Sequence, residues 1–221
     1  MPQAKIKFIV IHIIAILIAI ACLLMNGPMR GGLPIDTTAA DRMTFLANHS
    51  TLWMWSWVIW MFCAIGLLVF CVILADEIKT DYRKTVGLFL VALGVAPDLT
   101  AEVIYAFVLP KLVSLEMSEA TFLLFEQIAS HLTGYLGNGL YNLGGLLLTY
   151  LAIKQRLFKT WVFIWGVTAW VLGILLSVSI AAGELKAAEL FTASSMLLST
   201  LWMVIFAHQI LRPKWNTQSS S

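Results

Sequence analysis

Residues 121–153 read TFLLFEQIASHLTGYLGNGLYNLGGLLLTYLAI, a long run that holds one carboxylate, Glu126, and one histidine, His131. At about 1.5 Å of rise per helical residue this run is longer than the roughly 30 Å hydrocarbon core of a bilayer. Placing its residues about 100° apart sorts it into two halves. Glu126, Gln127, Ser130, His131, Gly134, Gly137, Asn138, Tyr141, Asn142, Gly145 and Thr149 fall on one side. Phe125, Ile128, Leu132, Leu136, Leu140, Leu143, Leu146 and Leu147 fall on the other. In a membrane the leucine half meets lipid, and the polar half faces protein or a water-filled cavity.

Five further apolar runs flank this one, at about 8–25, 52–74, 85–109, 161–182 and 191–211. Short stretches of turn-formers and charges divide them. Only 12% of the 221 residues are charged and 60% are hydrophobic, against about 25% charged in an ordinary soluble domain. Six spans nearly exhaust the chain, so the expected fold is all-α: one polytopic transmembrane bundle of six helices over residues 1–221. The longest gap, the external segment 26–51, should carry a short surface helix capped at Asp36, Thr37 or Thr38.

Lys and Arg accumulate on the cytoplasmic side of membrane proteins. One set of alternate loops has Lys5, Lys7, Lys79, Arg83, Lys84, Lys154, Arg156, Lys159, Arg212 and Lys214; the other has only Arg30, Arg42, Lys111 and Lys186. This bias places both termini in the cytoplasm. A cleaved signal peptide is the rival reading of the first run, because Lys5 and Lys7 precede it and Ala19-Ile20-Ala21 looks like a cleavage site. Short loops and abundant Met and Trp suggest a bacterial cytoplasmic membrane.

Several function classes fall away. The net charge of +2 comes with no basic run interleaved with aromatics, so no nucleic-acid surface is expected. Cys22, Cys63 and Cys71 all lie in apolar runs without C-x-x-C spacing and read as small core hydrophobes rather than a disulfide framework or a zinc site. Trp53, Trp57 and Trp60 read as interfacial anchors at the outer end of the second helix.

The third helix offers partners for Glu126. Asp98 and Glu102 are one turn apart on a face shared with Gly87, Gly94, Ala101 and Tyr105. Pro97 should kink this helix, or else begin a half-helix at Asp98. If the third and fourth helices form an antiparallel hairpin, residues at one depth have numbers summing to about 230. Asp98 then lies level with His131, and Glu102 level with Glu126. Two carboxylates at one depth in a low dielectric do not both ionise cheaply, so one should carry a proton.

The binding or proton-relay candidates are therefore Asp98, Glu102, Glu126, His131, Asn138, Tyr105, Tyr141 and Asn142. Such a set fits a small proton-linked or cation-binding transporter or sensor. A metal ion held by Glu102, Glu126, His131 and Asp98 would suit an intramembrane enzyme acting on a lipid or isoprenoid, although Glu126 and His131 lack Glu-x-x-His spacing. Alternatively, the polar groups satisfy one another in an accessory subunit or homo-oligomer of a larger membrane complex. His12 and His208 lie at comparable depth in the first and last helices. Bis-histidine haem ligation is conceivable there, against the plainer reading of two hydrogen-bonded interfacial histidines.

The layout from Gly32 to Ser50, a Thr/Ala-rich external segment ending in Leu46-Ala47-Asn48 and followed by an aromatic second helix, resembles a group of bacterial six-helix membrane proteins known as a domain of unknown function. The resemblance covers the first half of the chain. It implies the six-helix fold and no substrate.

Overall fold

The computed structural model describes residues 3–157 and 159–212. They form six long helices: α1 (Gln3–Asn26), α2 (Ala39–Glu77), α3 (Tyr82–Ser114), α4 (119–154), α5 (Thr160–Ala181) and α6 (Leu185–Leu211). There is no strand among the described residues. Five of the six, all but α4, are long and apolar enough to cross a membrane. The polar inner half of α4 dilutes its hydropathy, while its length matches its neighbours. The chain is a multi-pass membrane protein.

The connections at 78–81, 115–118, 155–159 and 182–184 are short, which makes consecutive helices antiparallel neighbours. Each helix packs on the next and α6 packs back on α1, so the bundle closes into a ring. An even number of helices puts both described ends at one end of that ring. There Lys7 bonds Asp76 and reaches Glu77 at 2.9 Å, and His12 meets His208. Lys214, counted above among the cytoplasmic charges, lies outside the described residues.

The ring turns its apolar side chains outward. On α1, Ile6, Ile9, Ile13, Ile16, Ile20 and Leu23 are all exposed, at the alternating three- and four-residue spacing of one helix face. In water such a stripe would be costly; in lipid it is the matching surface. The opposite face of α1 buries Ile11, Ile14, Ile18 and Ala21 in a core shared with Phe70, Cys71, Leu148, Trp170, Trp202 and Phe206.

The surface helix of segment 26–51 is present, and it joins the second span across a kink with no intervening loop, the two together covering 39 residues. It starts at Thr38, whose side chain accepts from the Asp41 amide at 3.2 Å while the Asp41 carboxylate accepts from the Thr38 amide at 3.1 Å. This reciprocal box satisfies two of the free donors at the helix start. The bend between the surface part and the span is at His49, whose φ of −129° and ψ of 27° leave the helical region. α3 continues helically through Pro97, so no half-helix begins at Asp98.

Three of the helices widen locally into π-turns, α3 at Ile104–Val108, α4 at His131–Gly137 and α6 at Ala207–Leu211. Such turns misalign the backbone ladder and are frequent at functional sites. In α3 one of the displaced carbonyls has a dedicated partner: Trp53 Nε1 donates to the Tyr105 oxygen at 2.7 Å.

Candidate functional site

Glycines bring α3 and α4 into backbone contact. A Cβ on Gly94 would stand 2.7 Å from the Gly137 oxygen, and one on Gly144 would stand 2.5 Å from the Gly87 oxygen. Without side chains at these points the two helices approach as closely as small-residue interfaces in membranes allow. The pairs Gly87/Gly144 and Gly94/Gly137, and the hydrogen-bonded pair Asp98/Thr133, each have residue numbers summing to 231, one more than the expected register.

That offset and the π-turn decide which side chains meet. Thr133, not His131, stands opposite Asp98 and donates its hydroxyl to Oδ1. His131 lies on the exposed side of α4, its Nδ1 2.9 Å from the Gln127 carbonyl oxygen. The expected Asp98–His131 pair is therefore absent. Glu102 is likewise not paired with Glu126, because Arg42 holds Glu126: Nε to Oε1 is 2.8 Å and Nη2 to Oε2 is 2.5 Å, with both side chains buried. A third contact, from Arg42 Nη1 to the Thr37 oxygen at 2.9 Å, ties the guanidinium to the start of the surface helix.

The proposed four-residue metal set of Asp98, Glu102, Glu126 and His131 is consequently not assembled. Among the described residues, no three His, Cys, Asp or Glu side chains lie together as metal ligands. The haem geometry is not present either. His12 Nε2 and His208 Nε2 are 3.3 Å apart in edge-on rings, which leaves no room for a macrocycle between them.

What the ring encloses instead is a cavity of about 240 Å³. It runs from the end of the bundle opposite the termini, between Leu33-Pro34-Ile35 and the start of α6 at Leu185 and Glu189, to Asp98 and Glu102. Six of the eight sequence candidates line it: Asp98, Glu102, Tyr105, Asn138, Tyr141 and Asn142. Glu126 and His131 do not. Trp57, Trp60 and Trp170 complete the aromatic wall, with Trp57 stacked on Tyr105 at 4.3 Å and 6° between planes.

The polar atoms around the cavity divide into satisfied and unsatisfied. Asn142 Nδ2 donates to the Asn138 carbonyl oxygen at 2.7 Å and to Asn138 Oδ1 at 3.0 Å. Its position requires glycine at Gly173 of α5, where a Cβ would overlap the Asn142 amide. Trp170 Nε1 donates to Thr149 at 2.8 Å. By contrast Glu102 Oε2, Trp57 Nε1 and Trp60 Nε1 are buried without a hydrogen-bond partner. Most buried polar atoms in folded proteins have one, so these three are notable.

The sequence reading missed Arg42, Thr133, and the buried roles of Trp53 and Trp57. The signals were present. Thr133 is seven residues from Glu126, two turns on along the same face. Arg42 is four residues from Leu46, which places a cation on the buried face of the surface helix. Trp53 and Trp57 are 1% and 6% exposed and face the bundle, while Trp55, on the other side, meets the surroundings at 59%. No family model, curated protein or solved structure matches this chain.

Proposed function

We propose that this membrane protein is a small proton-linked or cation-binding transporter or sensor, with Asp98 and Glu102 as its charge-carrying groups. One observation carries the reading. The cavity reaches two buried carboxyl groups one turn apart, and among the described residues no Lys, Arg or His lines it. Two such groups in a low dielectric hold a single negative charge far more cheaply than two. A proton or another cation is what neutralises the second. By the Lys and Arg count the cavity opens to the outside and the termini lie in the cytoplasm, in keeping with a bacterial cytoplasmic membrane.

Dicyclohexylcarbodiimide, which modifies protonated carboxyl groups in apolar surroundings, tests this. The expected result is pH-dependent labelling of Asp98 or Glu102, mapped by mass spectrometry, with none at the Arg42-paired Glu126. Proton flux through proteoliposomes, lost in Glu102→Gln, would then distinguish a carrier from a sensor. Absence of label on both Asp98 and Glu102 across the stable pH range would overturn the proposal.

A further inference from the structure

The cavity wall specifies more than charge. Around the carboxylates it holds Trp57, Trp60, Tyr105, Trp170, Leu176 and Met203, with hydroxyls scattered among them at Ser130, Thr192, Ser195 and Ser199, and among the described residues no three His, Cys, Asp or Glu side chains meet at one point. Hydrated or multiply coordinated metal ions need several oxygen ligands. Here Asp98 Oδ1 already takes the Thr133 hydroxyl, and Asn138 and Asn142 bond each other. Among the lining carboxylates, Glu102 is 2% exposed and has a buried oxygen, Oε2, without a hydrogen-bond partner. An unpaired buried carboxylate oxygen is completed by an N–H donor, and aromatic walls favour a cation with an apolar body.

We infer that the cavity takes a small organic ammonium, its N–H donated to Glu102 and its apolar body held between the aromatic side chains. This rests on the cation-binding reading above and names its ligand class. The volume supports a small solute: about 240 Å³ lies below the roughly 300–1,000 Å³ of sites for drug-sized ligands. Anionic ligands are disfavoured, because Asp98 and Glu102 line the cavity and no Lys, Arg or His among the described residues does. Glu189, at the mouth, is held by Arg30 at 2.8 Å. The unpartnered Trp57 and Trp60 N–H groups add two donors, which would suit a ligand that also carries a hydroxyl or carbonyl oxygen.

The experiment is isothermal titration of the detergent-purified full chain with 2-phenylethylammonium, neutral 2-phenylethanol and anionic phenylacetate, which share one apolar body. The expected result is that the ammonium binds at least about tenfold more tightly than either analogue, the scale of one charge-assisted hydrogen bond, and that Glu102→Gln removes this preference. Equal binding of ammonium and alcohol would overturn the inference, as would displacement of the ammonium by sodium or potassium at matching concentration. The wild-type comparison stands even if Glu102→Gln fails to fold. Repeating the titration in buffers of different ionisation enthalpy reads proton release separately. Ammonium binding without proton release keeps the ligand class and removes the proton linkage, whereas carbodiimide labelling without ammonium binding does the reverse.

Discussion

Arg42 of the surface helix and Glu126 of α4 form a two-pronged ion pair, Nε to Oε1 at 2.8 Å and Nη2 to Oε2 at 2.5 Å, with both side chains less than a tenth exposed. It fastens the segment that precedes the second span to the polar face of the fourth. Breaking a buried pair by removing one partner strands the other charge, at a cost of about 3–5 kcal/mol. Arg42→Met should therefore lower the thermal unfolding midpoint sharply. The double variant Arg42→Met/Glu126→Leu should recover most of the loss, because well-packed apolar groups often replace such a pair without penalty. If the double variant were as unstable as the single one, the pair would have a role beyond mutual neutralisation.

The glycine contacts predict a graded series. Gly94→Ala places a methyl group 2.7 Å from the Gly137 oxygen and should cost roughly 1–3 kcal/mol as α3 and α4 separate. Gly173→Ala should displace Asn142 and weaken ligand binding more than stability. Gly139→Ala is the control: its nearest neighbour would be 3.7 Å away, so stability should hold or rise slightly through helix propensity. Chemical unfolding of the three variants checks the order.

Trp53→Phe keeps an aromatic six-membered ring, but removes the N–H donor to the Tyr105 carbonyl in the π-turn together with the smaller ring of a buried side chain. The unsatisfied buried acceptor alone should cost about 1–3 kcal/mol. A much smaller loss would mean that the π-turn relaxes to ordinary helix, which hydrogen exchange at 104–108 would reveal.

Thr133 and His131 separate the expected register from the observed one. Thr133→Val removes the hydroxyl bonded to Asp98, and carbodiimide labelling of Asp98 near neutral pH should increase. His131→Ala should leave labelling and ammonium binding unchanged, since that ring bonds only its own helix. The opposite pattern would restore the Asp98–His131 pairing.

Asp81, in the short connection before α3, supplies a pH test outside the membrane. Its carboxylate accepts from the Arg83 guanidinium at 2.7 Å and from the Arg83 amide at 2.9 Å. These bonds, the side-chain ones first, hold it at about 2 instead of 3.8. A depressed carboxylate contributes stability that is fully present above the unfolded value and lost as pH falls through the folded one. The stability difference between wild type and Asp81→Asn should stay constant above 3.8 and vanish near 2, measured by pH-dependent unfolding.

Hydrophobic run length and helical periodicity are local properties, and they were enough for the six helices and the polar stripe holding Asp98, Glu102, Asn138 and Asn142; of the leucine half of α4, Ile128, Leu136 and Leu143 face outward while Phe125, Leu132 and Leu146 pack into the bundle. Even the α3–α4 register was legible to one residue, because two antiparallel helices rise at the same rate. Which polar groups touch was not. One π-turn at 131–137 turns His131 away and brings Thr133 to Asp98, and no periodic rule with a fixed angle per residue anticipates a widened turn. Arg42 reaches Glu126 only because the surface helix folds back at His49, a contact across 84 positions. The cavity belongs to no single helix: it exists because α6 closes the ring against α1, and ring closure is a property of the assembled bundle alone.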